Sequence, residues 1–174
     1  MSHRNLALLR QRDESWDFRG EPTKTATHGL HGYPAMMIPQ VAGRLIDEFT
    51  QPGDVILDPF CGSGSVLVEA GLRGRSAWGI DLNPLAVLIA RVKTTPLDTT
   101  GLRRRLDQIL ADARARRASP PPPPPIANLD YWFKPEVVGD LSLLRELVFD
   151  LLSTGERAFF QVALSATVRE SSNT

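Results

Sequence analysis

The sequence predicts an α/β fold organised around a strand, a glycine loop and a helix. Three observations predict it. Val55, Ile56 and Leu57 form a short apolar run with β-branched residues, the pattern of a parallel strand covered on both faces. Asp58-Pro59-Phe60-Cys61-Gly62-Ser63-Gly64-Ser65 follows at once, and its glycines can take backbone conformations closed to other residues. A helical pattern then places Val66, Leu67 and Ala70 on one side, with Gly71 and Gly74 marking the end. The expected helix runs from about 64 to 73, with Ser63 or Ser65 as its cap.

A second strand is expected over Ser76-Ala77-Trp78-Gly79-Ile80-Asp81, so that Asp81 lies 23 positions after Asp58. In open α/β sheets ligands bind at the carboxyl ends of the strands. The loop is neither G-x-G-x-x-G nor a P-loop with G-K-S/T, so nothing in it is built for a triphosphate. An acidic residue about 20 positions past the loop, at the tip of the second strand, is placed to hold a ribose diol. Asp81 has that position; it also lies near Asn83-Pro84, where the next helix opens, and so can serve as a cap. Asp58 at the strand end and the small loop suit a zwitterionic ligand with a ribose and no phosphate, which describes S-adenosylmethionine.

The loop resembles motif I of the amino-methyltransferases, DNA enzymes that methylate exocyclic amines of adenine or cytosine. Their D-P-F-C/A-G-S-G-T is similar to Asp58 through Ser65 here. Gly79-Ile80-Asp81-Leu82-Asn83-Pro84-Leu85-Ala86 resembles their motif II, G-x-D-x-N-P-x-A. Tyr33-Pro34-Ala35-Met36-Met37-Ile38-Pro39, followed by an amphipathic helix, resembles motif X directly before motif I. The resemblance implies a partial Rossmann-like S-adenosylmethionine-dependent methyltransferase domain with a helical insertion or cap. It implies a lid of Tyr33, Pro34, Met37, Ile38 and Pro39 over the methionine part of the cofactor. Asp58, Pro59, Phe60, Cys61, Gly62, Ser63 and Gly64 would surround the methionine end, Asp81 the ribose and Leu82 the adenine, with Asn83 beside them. Without the family, Met36, Met37 and Ile38 read as ordinary core residues.

Three regions are expected: an arm over 1–27, a cofactor-binding core over 28–97 and a helical region over 98–174. In the arm, Trp16 and Phe18 alternate with Asp17 and suit either a short edge strand or docking on the core. His28 and His31 lie three apart, but with no cysteine or further histidine near them no metal site is expected. Pro39 opens a helix carrying Val41, Leu45, Ile46 and Phe49, which ends before Pro52-Gly53. Leu85, Leu88, Ile89 and Val92 give another helix of about 84–94.

Residues 101–117 read as a basic helix, with arginines at 103, 104, 105, 114, 116 and 117 opposite an apolar stripe of Leu102, Leu106, Ile109, Leu110 and Ala113. The arginines form either a solvated face or a set of phosphate contacts. Pro120 to Pro125 is a stiff polyproline spacer. Trp132 and Phe133 suit base stacking or the anchoring of a helical cap. Helices of about 135–153 and 156–168 complete the pattern.

The chain has 174 residues, 20 basic and 20 acidic, so global charge offers no steering toward nucleic acid and a DNA-binding face must be local. One cysteine excludes an internal disulfide and fits a reducing, cytoplasmic compartment. No 18-residue apolar run suggests a membrane span.

The family holds its target amine with D/N/S-P-P-Y/F at the end of the fourth strand, and no such tetrapeptide occurs here. Residues 164–173 resemble what precedes that strand in some N4-cytosine enzymes. The expectation is therefore the S-adenosylmethionine-binding part of a site-specific DNA methyltransferase, cytosine N4 favoured over adenine N6, with no catalytic residue of its own. A second protein chain, or a further C-terminal part, would supply the S/D-P-P-Y strand and target recognition. The alternatives are part of a tRNA guanine-N2 methyltransferase, which carries a similar motif I, and a non-catalytic regulatory subunit binding cofactor or DNA.

Overall fold

A computed structural model of the chain describes residues 13–173. The first twelve residues of the expected arm lie outside the described part. A 3₁₀ turn at Glu14–Trp16 stands where an edge strand was one alternative. The other alternative, docking, is what occurs. The Arg44 guanidinium lies 3.9 Å from the Trp16 ring centroid, and its Nη1 donates to the Ser15 carbonyl at 3.0 Å. Arg44 belongs to α1 (Pro39–Phe49), which has proline in its first turn and buries Ala42, Gly43 and Ile46.

β1 (Val55–Asp58) pairs in parallel with β2 (Ser76–Gly79), Leu57 opposite Trp78 and Asp58 opposite Gly79. α2 (Ser65–Leu72) makes the crossover between them. Among the described residues these two strands are the whole sheet. β1 is not buried on both faces, which corrects the expectation drawn from its apolar run. Side chains alternate across a strand, and only the face of Ile56 and Ala77 is half-buried. On the other face Val55 is 65 %, Leu57 63 %, Trp78 71 % and Ile80 57 % exposed. The strand is apolar as expected, but no layer among the described residues covers that face.

β2 ends at Gly79, two residues before Asp81; Ile80 N–H still bonds the Asp58 carbonyl in the ladder pattern, and its carbonyl accepts from Cys61 N–H of the loop. Neither serine caps α2. Its N-cap is Gly64, at φ +82°, and the Ser63 hydroxyl instead meets Lys93. Gly64 has no room for a side chain, since a Cβ would lie 2.8 Å from that of Ala90.

α3 (Pro84–Thr94) has the expected bounds, capped by the Asn83 side chain accepting from Leu85 N–H. α4 (Thr99–Arg116) starts two residues early because Asp98 caps it. After the proline run come the short α5 (Leu129–Trp132), α6 (Pro135–Phe149) and α7 (Thr154–Glu170). α6 ends four residues before expectation, because Ser153 caps α7 and so forces a break in the chain.

Two apolar clusters hold the helices together. One joins Leu102, Ile109, Val148 and Phe160 of α4, α6 and α7. The other joins Ile89 and Val92 of α3 to Val162 of α7. Phe159 packs against both. Helix α7 is thereby bound to the helix behind the glycine loop.

Candidate cofactor site

The site starts from the tips of two parallel strands. Asp58 ends β1, and its Oδ1 accepts from the Phe60 N–H at 3.1 Å. Asp81 follows β2, and both of its oxygens accept from backbone: Oδ2 from Gly62 N–H at 2.9 Å and Oδ1 from Asn83 N–H at 2.8 Å. One carboxylate therefore pins the glycine loop and the start of α3 together. Each oxygen keeps a second lone pair for a ligand hydroxyl. The capping of α3 falls to Asn83, so Asp81 is not its N-cap.

Between the carboxylates Gly62 takes φ +49°, and a Cβ there would meet only the Tyr33 ring, at 3.8 Å. Gly64 N–H closes the turn on the Cys61 carbonyl at 2.8 Å. Phe60 is 85 % exposed and Leu82 is fully exposed. Two bare apolar side chains thus flank the carboxylates. Cys61 points the other way and is buried. Burial, then the Asp58 and Asp81 carboxylates, push its thiol above the ordinary range, so it stays protonated and is no nucleophile.

The segment before α1 closes over this loop. The Tyr33 hydroxyl accepts from Asn83 Nδ2 at 3.0 Å, which links the two motifs directly. Pro34, Met37 and Ile38 are exposed beside it, and Pro39 is buried. The reading of Met36, Met37 and Ile38 as core residues fails, since they are 41 %, 46 % and 37 % exposed. A cavity of about 540 Å³ opens on this side, lined among others by Tyr33, Met37, Ile38, Pro39 and Ser65. Asp58, Gly62 and Asp81 do not line it; they form an open ledge at the strand tips, joined to the cavity side through Tyr33.

Three supports of this segment were not read from the sequence. His28 Nε2 lies 2.7 Å from Glu69 Oε1, both buried, and Glu69 also contacts Arg73. His31 Nε2 lies 3.2 Å from Ser165 Oγ, and Arg169 donates to the Gly32 carbonyl, both partners standing on α7. Both histidines line the cavity and leave Nδ1 buried without a hydrogen-bond partner among the described residues. Lys93 is 4 % exposed, and its Nζ lies 3.3 Å from Ser63 Oγ. The signal for Lys93 was available: it falls four positions after Ile89, on the buried side of α3.

Three of the six arginines expected on the basic helix are occupied within the fold. Arg105 pairs with Glu156, Arg116 with Glu146 and Arg117 with Asp140. Arg103, Arg104 and Arg114 make no ion pair among the described residues. The proline run lies along α6, where a Cβ on Gly139 would meet Pro120 Cγ at 3.3 Å. Phe133 lines an apolar groove with Pro123, Pro124 and Leu164, while the Trp132 carbonyl accepts from Asn173 N–H.

The family profile described as DNA methylase matches residues 3–91, half of the chain, and covers the Tyr33 segment, the glycine loop and the Asp81 turn together. The chain belongs to the DNA methylase family. Type II methyltransferase M.MvaI of Kocuria varians is 36 % identical over 167 residues, 90 % of this chain and 37 % of that protein. Type II methyltransferase M.MjaII of Methanocaldococcus jannaschii is 36 % identical over 99 residues, 56 % of this chain and 19 % of that protein. The tRNA (guanine(10)-N2)-dimethyltransferase of Methanothermobacter thermautotrophicus is 44 % identical over 119 residues, 67 % of this chain and 34 % of that protein. This methylase chain thus spans about a third or less of the length of these relatives. No solved structure matches it. None of its described helices is long and apolar enough to cross a membrane.

Proposed function

We propose that this chain is the cofactor-binding part of a DNA amino-methyltransferase that uses S-adenosylmethionine. The observation that carries the reading is the ledge itself. Asp58 and Asp81 stand at the tips of adjacent parallel strands, with the bare backbone of Gly62 between them and Tyr33 over it. These residues fit a zwitterionic nucleoside. The open side of Gly62 lets a ligand approach the backbone, the Asp81 oxygens have capacity for a ribose diol, and exposed Leu82 offers an apolar face to adenine. The cofactor would supply a methyl group on a sulfonium. The chain's own part is to hold and orient: Asp58, Pro59, Phe60, Cys61, Gly62, Ser63 and Gly64 at the methionine end, Asp81 and Asn83 at the ribose, Tyr33, Pro34, Met37, Ile38 and Pro39 as a lid.

In this proposal residues 28–97 form the nucleus of a Rossmann-like sheet, residues 98–174 a helical cap, and residues 1–27 an arm. The amine-holding S/D-P-P-Y strand comes from a second chain or a further part of the protein, beside the edge of β1 that is unpaired among the described residues. DNA is the substrate, cytosine N4 the favoured position, and the cytoplasm the site of action. Type II relatives along most of the chain support the DNA reading. The similarity to a tRNA dimethyltransferase sustains guanine N2 of tRNA as the second reading.

Calorimetric titration with S-adenosylmethionine tests the binding. Methyl transfer to DNA and to tRNA, with and without a co-expressed polypeptide carrying the S/D-P-P-Y strand, tests the rest. We expect cofactor binding by the chain alone and transfer to DNA only with the partner. Transfer to tRNA alone would favour the second reading, and no cofactor binding in either state would remove the site.

A further inference from the structure

The glycine loop hides a cation that the cofactor reading above does not use. Lys93 stands near the end of α3 with its side chain buried, 4 % exposed. Its Nζ meets Ser63 Oγ of the glycine loop at 3.3 Å and Met36 Sδ of the lid segment at 4.0 Å. Its backbone is fixed from the lid side too, since the Thr27 hydroxyl donates to the Lys93 carbonyl at 2.9 Å. Among the described residues no carboxylate pairs with it. Taking an ammonium out of water without a counter-ion costs several kcal/mol, and burial alone draws the Lys93 pKa below its ordinary value. Two half-buried arginines elsewhere in the core domain show the contrast: Arg73 and Arg75 both reach Asp47, and Arg73 also reaches Glu69.

We propose that Lys93 is the anion anchor of the site, its ammonium binding the α-carboxylate at the amino-acid end of the cofactor. The inference rests on the cofactor reading and extends it. The ammonium sits at the seam between Ser63 and Met36, the two segments assigned to the methionine end. Met36 lines the cavity and covers the ammonium with a flexible, half-exposed thioether, which can yield to an entering ligand. A zwitterionic sulfonium nucleoside carries a single anionic group, its carboxylate, so the chemistry of the missing counter-ion is determined. Ser63 then orients the ammonium rather than capping α2.

The test is calorimetry on the full chain with two ligands, S-adenosylhomocysteine and methylthioadenosine. They share the adenosine and the thioether, but only the first has the amino-acid end. Lys93→Met should weaken S-adenosylhomocysteine by about tenfold or more, as expected for a lost charge-assisted bond, and leave methylthioadenosine within about twofold. Equal loss for both ligands would make Lys93 a packing residue and overturn the proposal, as would no loss for either. A second measurement needs no variant: the wild-type chain should bind decarboxylated S-adenosylhomocysteine about tenfold more weakly than the intact ligand. Equal wild-type affinity for those two sinks the anchor while the cofactor reading stands. A wild-type chain that binds none of the three removes both.

Discussion

Asp81 accepts two backbone N–H bonds before any ligand arrives, so its removal has two separable effects. Asp81→Ala leaves the Gly62 and Asn83 N–H groups unpaired and should lower stability by about 1–3 kcal/mol. It should also weaken S-adenosylmethionine by a few kcal/mol at most; calorimetry showing unchanged affinity would take Asp81 out of the site. Gly64→Ala places a Cβ against Ala90 at a φ of +82°, and should cost on the order of 2–4 kcal/mol in a denaturation experiment. Shrinking Ala90 to glycine should return only part of that loss, because the backbone strain stays. Lys93 carries a signature in pH. Its folded pKa lies below the ordinary 10.5, so between those two values the unfolded chain holds the extra proton. The burial penalty is therefore full at low pH and fades as pH rises through the folded pKa. Lys93→Met should raise the melting temperature of the ligand-free chain at neutral pH, and that gain should shrink toward pH 10. A variant less stable at neutral pH would show that the ammonium is better compensated than its contacts suggest.

The elements carrying the motifs were legible because their signals are local. Pro39 and Asn83-Pro84 announce α1 and α3, and Leu85, Leu88, Ile89 and Val92 trace one side of a helix. Where the reading missed, a side chain had a distant competitor. Ser63 was a plausible cap until Lys93, thirty positions on, claimed its hydroxyl. Ser153 cut an apolar pattern that would otherwise have run on to Leu151. Burial of β1 was misread for a different reason: composition records what a strand is made to touch, and coverage depends on what lies beside it. The arrangement of the candidate site was legible in the same way, with Asp58, Gly62 and Asp81 visible as a spaced set and the supports from α2 and α7 invisible at separations of 41 and 134 positions. α2 supplies the sharpest prediction at this scale. Glu69→Ala removes the partner of His28 and Arg73 inside the fold, and should cost about 3–5 kcal/mol by chemical denaturation. A loss under about 1 kcal/mol would mean that Arg73, through Asp47, secures the helix unaided.

The whole molecule is lopsided. Its helices pack on one another through α7, while the sheet presents Val55, Leu57, Trp78 and Ile80 to solvent beside a strand edge that is unpaired among the described residues. Such a face favours association in water. Leu57→Lys should reduce self-association of the isolated chain in sedimentation experiments and leave its melting temperature nearly unchanged; persistent association would locate the sticky surface elsewhere. The placement of α7 reaches further. Motifs X, I and II all lie before residue 97, yet Ser165 and Arg169 brace the loop of His31 and Gly32 from behind. A fragment trimmed to those three motifs would keep most of the alphabet of the family and lose the hand that steadies the page: the loop beside the cavity is bolted to a helix that lies outside them.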